Sequence, residues 1–350
     1  MCCSCRTVQK PADARWREEA AAIYSRYAIF RQAAGGAEQR VFNQASGTSL
    51  RRSDIVLKRL NAAYPFPAAG RALDVGCGNG PTLRALAEAV PDWTLYGHEI
   101  SDAGAAALAA IAGFKRLYTG DPAGIDDRFD LITLSHSLEH IPEPVETLAT
   151  LRSKLAPGGR LVVEVPNVRQ NIYDLVVADH RSHFDPLTLV AAARRAGFPH
   201  AAVFDDWAFK ELTLVAANEP LAVQPEGRPL APLDARDISQ RVAWLAAVLD
   251  SADKVARSAG DFGIFGTAIA ATWLFGPLAD RVAFFVDEDA ARIGQMHEGR
   301  RILAPDRIPR AATVFVPLVP DVASVVAARL EALGVEACVP PPQRFETVAA

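Results

Sequence analysis

The residues of this chain best placed to do chemistry are three glycines and two acids. Residues 71–80 read Arg-Ala-Leu-Asp-Val-Gly-Cys-Gly-Asn-Gly, and Glu99 closes the next apolar run, Trp93-Thr-Leu-Tyr-Gly-His-Glu. Glycines at 76, 78 and 80 let a backbone turn tightly and let a ligand approach without Cβ interference. Asp74 stands two residues before the first glycine. Glu99 lies roughly 20 residues past the turn, where such folds keep a ribose-binding carboxylate. A dinucleotide would bring its pyrophosphate to this turn and meet repulsion from Asp74 at close range, so the two carboxylates favour a cationic ligand.

The elements around these residues have to hold them. The apolar run before the turn reads as a strand, Pro81 suits the first helical position, and Leu83, Leu86, Ala87 and Val90 recur at helical spacing. Strand, glycine turn and helix together make a cofactor seat, and S-adenosylmethionine, with its ammonium and sulfonium, carries the matching charge. A second reactive stretch follows the strand read over 159–167: Asn171-Ile-Tyr-Asp-Leu-Val-Val-Ala-Asp-His-Arg-Ser-His-Phe184. It leaves the carboxyl edge of the sheet, where open α/β sheets bind ligands. Methyl transfer from a sulfonium has its leaving group built in, so the protein must align the acceptor and take its proton, with Asp179, His180 and His183 as the candidates.

Asp-Val-Gly-Cys-Gly-Asn-Gly, Glu99, Gly120-Asp121, Phe129-Asp-Leu-Ile-Thr-Leu-Ser-His-Ser-Leu-Glu-His and Leu155-Ala-Pro-Gly-Gly together resemble class I S-adenosylmethionine-dependent methyltransferases over about residues 68 to 200. The resemblance implies that Gly76, Cys77, Gly78 and Gly80 cradle the methionine part and Asp74 helps hold its ammonium. It also implies that Glu99 with Ile100 takes the ribose end, that Asp121 lies near the adenine, and that Ser135 and His136 close the pocket. The 171–184 stretch further resembles the C-methyltransferases of nucleotide-linked keto-deoxysugars, whose loop reads Tyr-Asp-x-x-Tyr-His-Glu-His-x-Ser-Tyr-Phe. Tyr173-Asp174, Asp179-His180, Ser182 and Phe184 match it, and His180 falls on that group's catalytic histidine, with Asp179 as the carboxylate orienting it. Val177 and His183 stand where that group has tyrosines. His98, His140, His200 and His297 read as surface or packing residues, with His140 supporting its loop.

The expected architecture is α/β: a doubly wound seven-stranded Rossmann-like methyltransferase sheet and a second, smaller Rossmann-like α/β domain. An amino-terminal helical cap over 1–50 precedes the S-adenosylmethionine-binding domain, 51–217. A proline-rich linker, 218–234, leads to the carboxyl-terminal domain, 235–350. Within the cap, residues 14–45 read as helical with Trp16, Ala20, Ile23, Tyr24 and Tyr27 on one side, until Gln32-Ala-Ala-Gly-Gly breaks the pattern. The aromatic stripe reads as packing, with Tyr24 or Tyr27 within reach of the ligand. In the last domain a long helix from Asp237 to Ser258 leads into Asp261-Phe-Gly-Ile-Phe-Gly-Thr-Ala, a second strand-turn-helix, and Asp287 ends the following strand. Ala268 replaces a second glycine and no lysine follows, which argues against NAD and leaves any phosphate to backbone amides. The domain resembles the carboxyl-terminal domain of the same sugar methyltransferases, which implies either a holder of the nucleotide handle or a duplicated sheet retained for packing and dimerisation.

Composition sets the remaining bounds. With 350 residues, half of them apolar, and a formal net charge of −4, the chain is expected to be a cytoplasmic enzyme of more than one domain. Basic pairs such as Arg51-Arg52, Arg194-Arg195 and Arg300-Arg301 are scattered, giving no nucleic-acid footprint, and no apolar run suits a membrane. Cys2-Cys-Ser-Cys5 has thiolate spacing for zinc, but a structural site needs four ligands and no second pair follows. Relatives in the sugar group carry a further Cys-x-x-Cys pair upstream. Either this chain begins downstream of it or this member has lost its zinc, and no metal is expected. The partner expected is a small-molecule substrate, a nucleotide sugar. The alternatives are an O- or N-methyltransferase of a natural-product or polysaccharide intermediate, a non-catalytic module retaining the fold, and a nicotinamide dehydrogenase that Asp74 argues against.

Overall fold

A computed structural model describes residues 1–2, 5–26, 40–43, 48–225 and 230–343. Cys3, Tyr27 and the 32–36 break lie outside the described residues. The chain divides into two compact units, Met1–Asn171 with Ala178–Pro232, and Ile172–Val177 with Leu233–Ala350.

The first unit opens with a short strand β1 (Val8–Gln9), helix α1 (Ala14–Arg26) and a hairpin of β2 (Arg40–Asn43) and β3 (Thr48–Arg51), followed by α2 (Arg52–Ala63). The helical reading of 14–45 is therefore corrected: the helix is described to Arg26, and strand begins again at Arg40. Trp16 and Ala20 are the buried positions of α1. The unit continues with β4 (Arg71–Val75), α3 (Pro81–Ala89), β5 (Thr94–Glu99), α4 (Ala105–Ala109), β6 (Phe114–Thr119), β7 (Phe129–Ser135), α5 (Pro144–Ser153) and β8 (Leu155–Pro166). It closes with β9 (Ser182–His183), α6 (Pro186–Arg195), β10 (His200–Phe204) and β11 (Glu211–Ala217).

Seven strands form one sheet in the order β10-β11-β8-β7-β4-β5-β6, parallel except for β11, which is antiparallel to both neighbours. The strand order reverses at β4, whose neighbours are β5 and β7, so the ligand crevice belongs beyond the carboxyl ends of these strands. Central strands such as Leu-Ile-Thr-Leu in β7 and Leu-Val-Val in β8 are buried on both faces, as parallel strands between helices must be. Leu73, Phe129, Ile132, Leu161 and Phe184 pack one face, and Leu60, Leu83, Leu86 and Leu95 the other.

The second unit contains α7 (Ala235–Ser258), β12 (Asp261–Phe265), α8 (Ile269–Leu278), β13 (Val282–Val286), β14 (Met296–His297), β15 (Arg300–Leu303), β16 (Ala312–Phe315), α9 (Pro320–Ala332) and β17 (Glu336–Cys338). Its six strands run β14-β15-β13-β12-β16-β17, parallel apart from β14 at the edge. Asp234 caps α7 by accepting from the Asp237 amide at 2.9 Å, while the Asp237 side chain answers the Asp234 amide at 2.8 Å. Among the described residues no helix is long and apolar enough to cross a membrane.

Candidate functional site

The glycine turn folds as its composition requires. Gly76, Gly78 and Gly80 take φ values of 73, 53 and 83°, left-handed conformations that side-chain-bearing residues rarely adopt. A Cβ on Gly76 would stand 2.5 Å from Ser137 Cβ, and the Ser137 hydroxyl is itself fixed, donating to the Val75 carbonyl at 2.8 Å. The Gly76 and Cys77 amides both donate to the His98 carbonyl, at 2.9 and 3.2 Å, which ties the turn to the end of β5.

That tie brings Glu99 onto the turn. Its Oε1 accepts from the Gly78 amide at 2.8 Å and its Oε2 from the Ile100 amide at 2.9 Å. Ile100 is 74% exposed beside it, an apolar face that a ring could cover. Asp74 is 2% exposed and opposite Thr133 in the β4–β7 register, and Thr133 Oγ1 donates to Asp74 Oδ1 at 2.7 Å. Asp121 is exposed after β6 and spends Oδ1 on the Ala123 amide at 2.8 Å. The cation-favouring carboxylates and the Cβ-free cradle fit S-adenosylmethionine, whose bound form supplies a methyl group on a sulfonium.

Cys77 turns its side chain to the core. Its side chain is buried among Leu83, Leu86 and Leu95, with Sγ 2.7 Å from where a Cβ on Gly97 would stand. Its amide donates to the His98 carbonyl and its carbonyl accepts from the Gly80 amide. Burial, together with Asp74 and Glu99, pushes the thiol far above its ordinary value, and it stays neutral. His98 is also more than packing: its Nε2 lies 2.7 Å from the Gly120 carbonyl and fixes the turn after β6.

Beyond β7 and β8 the carboxyl edge gathers a charged network. Ser135 pairs in register with Glu164, and its hydroxyl donates to Glu164 Oε2 at 3.1 Å. Arg52 at the start of α2 meets Glu164 Oε1 at 2.9 Å. His136, held at φ 50°, stands between Glu139 (Nδ1 to Oε1, 3.3 Å) and Glu211 (Nε2 to Oε2, 3.4 Å). Burial lowers the His136 pKa, but the two glutamates outweigh it and the net shift is upward. Burial pushes the Glu211 carboxyl up to about 7.

Asp179 has a partner that the sequence reading did not give it. Asp179 Oδ2 lies 3.1 Å from Nδ1 of His140, the residue the sequence assigned to loop support. The His140 ring stands edge-on to the His180 ring with centroids 4.5 Å apart, and Tyr24 approaches the other side of His140 at 6.5 Å. Asp179, His180 and His183 are all buried, and the His180 and His183 rings lie 6.3 Å apart. Burial raises the Asp179 pKa, but His140 and His180 bring it below its ordinary value; the same pairing lifts His140 against burial. The loop is held from outside: Val8 and Gln9 pair with His183 and Ser182, and Ala178 O accepts from Trp16 Nε1 at 3.2 Å.

Sequence reasoning missed Glu139, Glu164, Glu211 and Arg52. Glu139 lay inside a quoted motif, Glu164 inside the strand read over 159–167 and Arg52 in a basic pair read as scattered. Glu211 reaches the site only because β11 runs antiparallel to β8, which no local pattern announces.

The chain matches known proteins over this same unit. A family model described as a methyltransferase domain matches residues 49–201. Trans-aconitate 2-methyltransferase of Streptomyces avermitilis is 30% identical over 187 residues, 47% of this chain and 68% of that protein. Malonyl-[acyl-carrier protein] O-methyltransferase of Alcanivorax borkumensis is 29% identical over 203 residues, covering 55% and 65%. Trans-aconitate 2-methyltransferase of Deinococcus radiodurans is 34% identical over 112 residues, covering 31% and 42%. Of several such curated relatives the chain spans less than half the length, as in the last case. With the glycine turn, the Glu99 contact and the seven-stranded order in place, this chain belongs to the S-adenosylmethionine-dependent methyltransferase family.

Proposed function

We propose that this protein transfers a methyl group from S-adenosylmethionine to a small acceptor at the carboxyl edge of the seven-stranded sheet, and that the acceptor is a nucleotide-linked sugar. The observation carrying the reading is the Glu99 carboxylate on the Gly78 amide at 2.8 Å, because it joins the two halves of the cofactor seat. Gly76, Gly78, Gly80 and Asp74 receive the methionine end in this reading. Glu99 and Ile100 receive the ribose and adenine, with Asp121 at the far end and Ser135 and His136 at the inner wall. His180 accepts the acceptor's proton, His140 and Asp179 hold its position, and His183 stands behind it. A positioned base of this kind adds roughly 10² to 10⁴ in rate.

The sugar assignment rests on the 173–184 loop and its match to the keto-deoxysugar group. The glycine turn Gly266 at φ 83°, followed by α8, supports the second unit as the place for a nucleotide handle. A second reading, O-methylation of an organic acid, draws on the names of the relatives above.

The deciding experiment incubates the protein with labelled methyl donor and separate panels of nucleotide sugars and organic acids, then locates the methyl by NMR. Methyl on a sugar carbon supports the reading. Methyl on a carboxylate or hydroxyl oxygen replaces it with the second, and cofactor binding with no product from either panel or from cell extract leaves a non-catalytic module.

A further inference from the structure

Within the first unit, Glu139, His140 and His180 each offer a ligand atom, and the three atoms lie within 4.8 Å of one another. Two of these residues stand on the short turn after β7 and the third on the loop before β9, so the fold itself brings them together. A cluster of such residues gains meaning here from one orphaned atom. Glu139 is 1% exposed, and its Oε2 has no hydrogen-bond partner, while Oε1 has only His136 at ion-pair distance. A buried carboxylate oxygen without a donor is costly unless a cation answers it.

His140 is arranged as a ligand would be. Its Nδ1 faces Asp179 Oδ2 at 3.1 Å, which leaves Nε2 as the nitrogen to give. A carboxylate behind an imidazole fixes its tautomer and raises its basicity toward a metal on the other side. We infer that Glu139, His140 and His180 bind one divalent first-row transition cation of the zinc or iron(II) class, with Asp179 orienting His140. Two imidazoles select this class over magnesium or calcium, which prefer all-oxygen sites. Three protein ligands leave at least one coordination position for an acceptor oxygen or water. The three atoms would have to close on the ion to the distance of about 2.0–2.2 Å that such cations require.

The site is distinct from the amino-terminal cysteines, whose spacing alone had been weighed for zinc. It does not depend on the identity of the methyl acceptor. With the cation bound, His180 would serve as a ligand and a bound acceptor oxygen would release its proton to water, so the role of His180 as proton acceptor belongs to the metal-free protein.

The test uses the full chain with Cys2, Cys3 and Cys5 replaced by serine, stripped with a chelator and titrated with zinc chloride by calorimetry and with cobalt(II) by absorbance. One ion per chain is expected, with a cobalt spectrum lacking any thiolate charge-transfer band. His140→Ala and His180→Gln should each weaken binding at least tenfold, and Asp179→Asn about 10- to 100-fold. S-adenosylhomocysteine affinity and thermal unfolding, measured on every variant, separate lost metal binding from lost folding. No stoichiometric uptake of either ion by the folded parent overturns the proposal, and so does uptake undiminished in both histidine variants.

Discussion

Asp179 Oδ2 lies 3.1 Å from Nδ1 of His140. His180 also acts on the carboxylate, and its ring packs edge-on against that of His140 at 4.5 Å. Asp179→Asn should leave S-adenosylhomocysteine affinity unchanged and lower kcat about tenfold, with a stability loss of about 1–3 kcal/mol for the half-unpaired buried contact. Calorimetry, steady-state kinetics and thermal unfolding check the three parts, and unaltered kcat would remove Asp179 from the reactive cluster.

His180→Ala carries a larger expectation. Turnover should fall by roughly 10²-fold or more while cofactor affinity holds. Retained turnover would dismiss His180, and parallel loss of cofactor binding would point to a folding defect.

The cofactor seat is open to two substitutions of different kind. Glu99→Ala removes the acceptor of the Gly78 and Ile100 amides and should weaken S-adenosylhomocysteine at least tenfold with little effect on stability. Gly76→Ala places a Cβ 2.5 Å from Ser137 Cβ at a φ of 73°, so it should cost about 1–3 kcal/mol and several degrees in Tm. Equal effects of the two changes on binding and on Tm would refute this division of labour.

Stability should fall as pH rises through neutrality, and Glu211 supplies the sign. Burial holds its folded pKa at about 7, above the ordinary 4.5, so the folded state keeps the proton more tightly than the unfolded chain. That contribution is full below about pH 4.5 and is lost as pH climbs through about 7. His136, also raised, acts in the same direction. Glu211→Gln should flatten the decline between pH 5 and 8 and unfold at a higher temperature than the parent at pH 8. Parallel Tm–pH curves would contradict it.

The amino-terminal strap makes a prediction of its own. Trp16→Phe keeps an aromatic body but loses the bond to the Ala178 carbonyl, so amide exchange over residues 178–184 should quicken while exchange in β4 and β7 stays slow. Unchanged exchange in that loop would show that Val8, Gln9 and Lys10, which donates to the Ala178 and Arg181 carbonyls, hold it without Trp16.

The sequence by itself determined the strand, glycine turn and helix over residues 71–89 and the α/β alternation, because both are local. Glycines two residues apart, Pro81 at a helix start and apolar periods of two and 3.6 act within a few bonds, and Glu99 lies one strand further on. The second sheet was equally legible in Asp261–Phe265, Val282–Val286 and the helix read from Asp237, which Asp234 caps one residue before its first turn. Tertiary structure alone decided the carboxylate pairings. Glu211 meets His136 because an antiparallel strand returns along β8, and Asp179 turns to His140 because β1 and Trp16 hold its loop against the turn after β7. Such contacts depend on strand order and loop closure over long separations, where a charge takes whichever partner the packed backbone brings nearest, and no spacing along the chain encodes that choice.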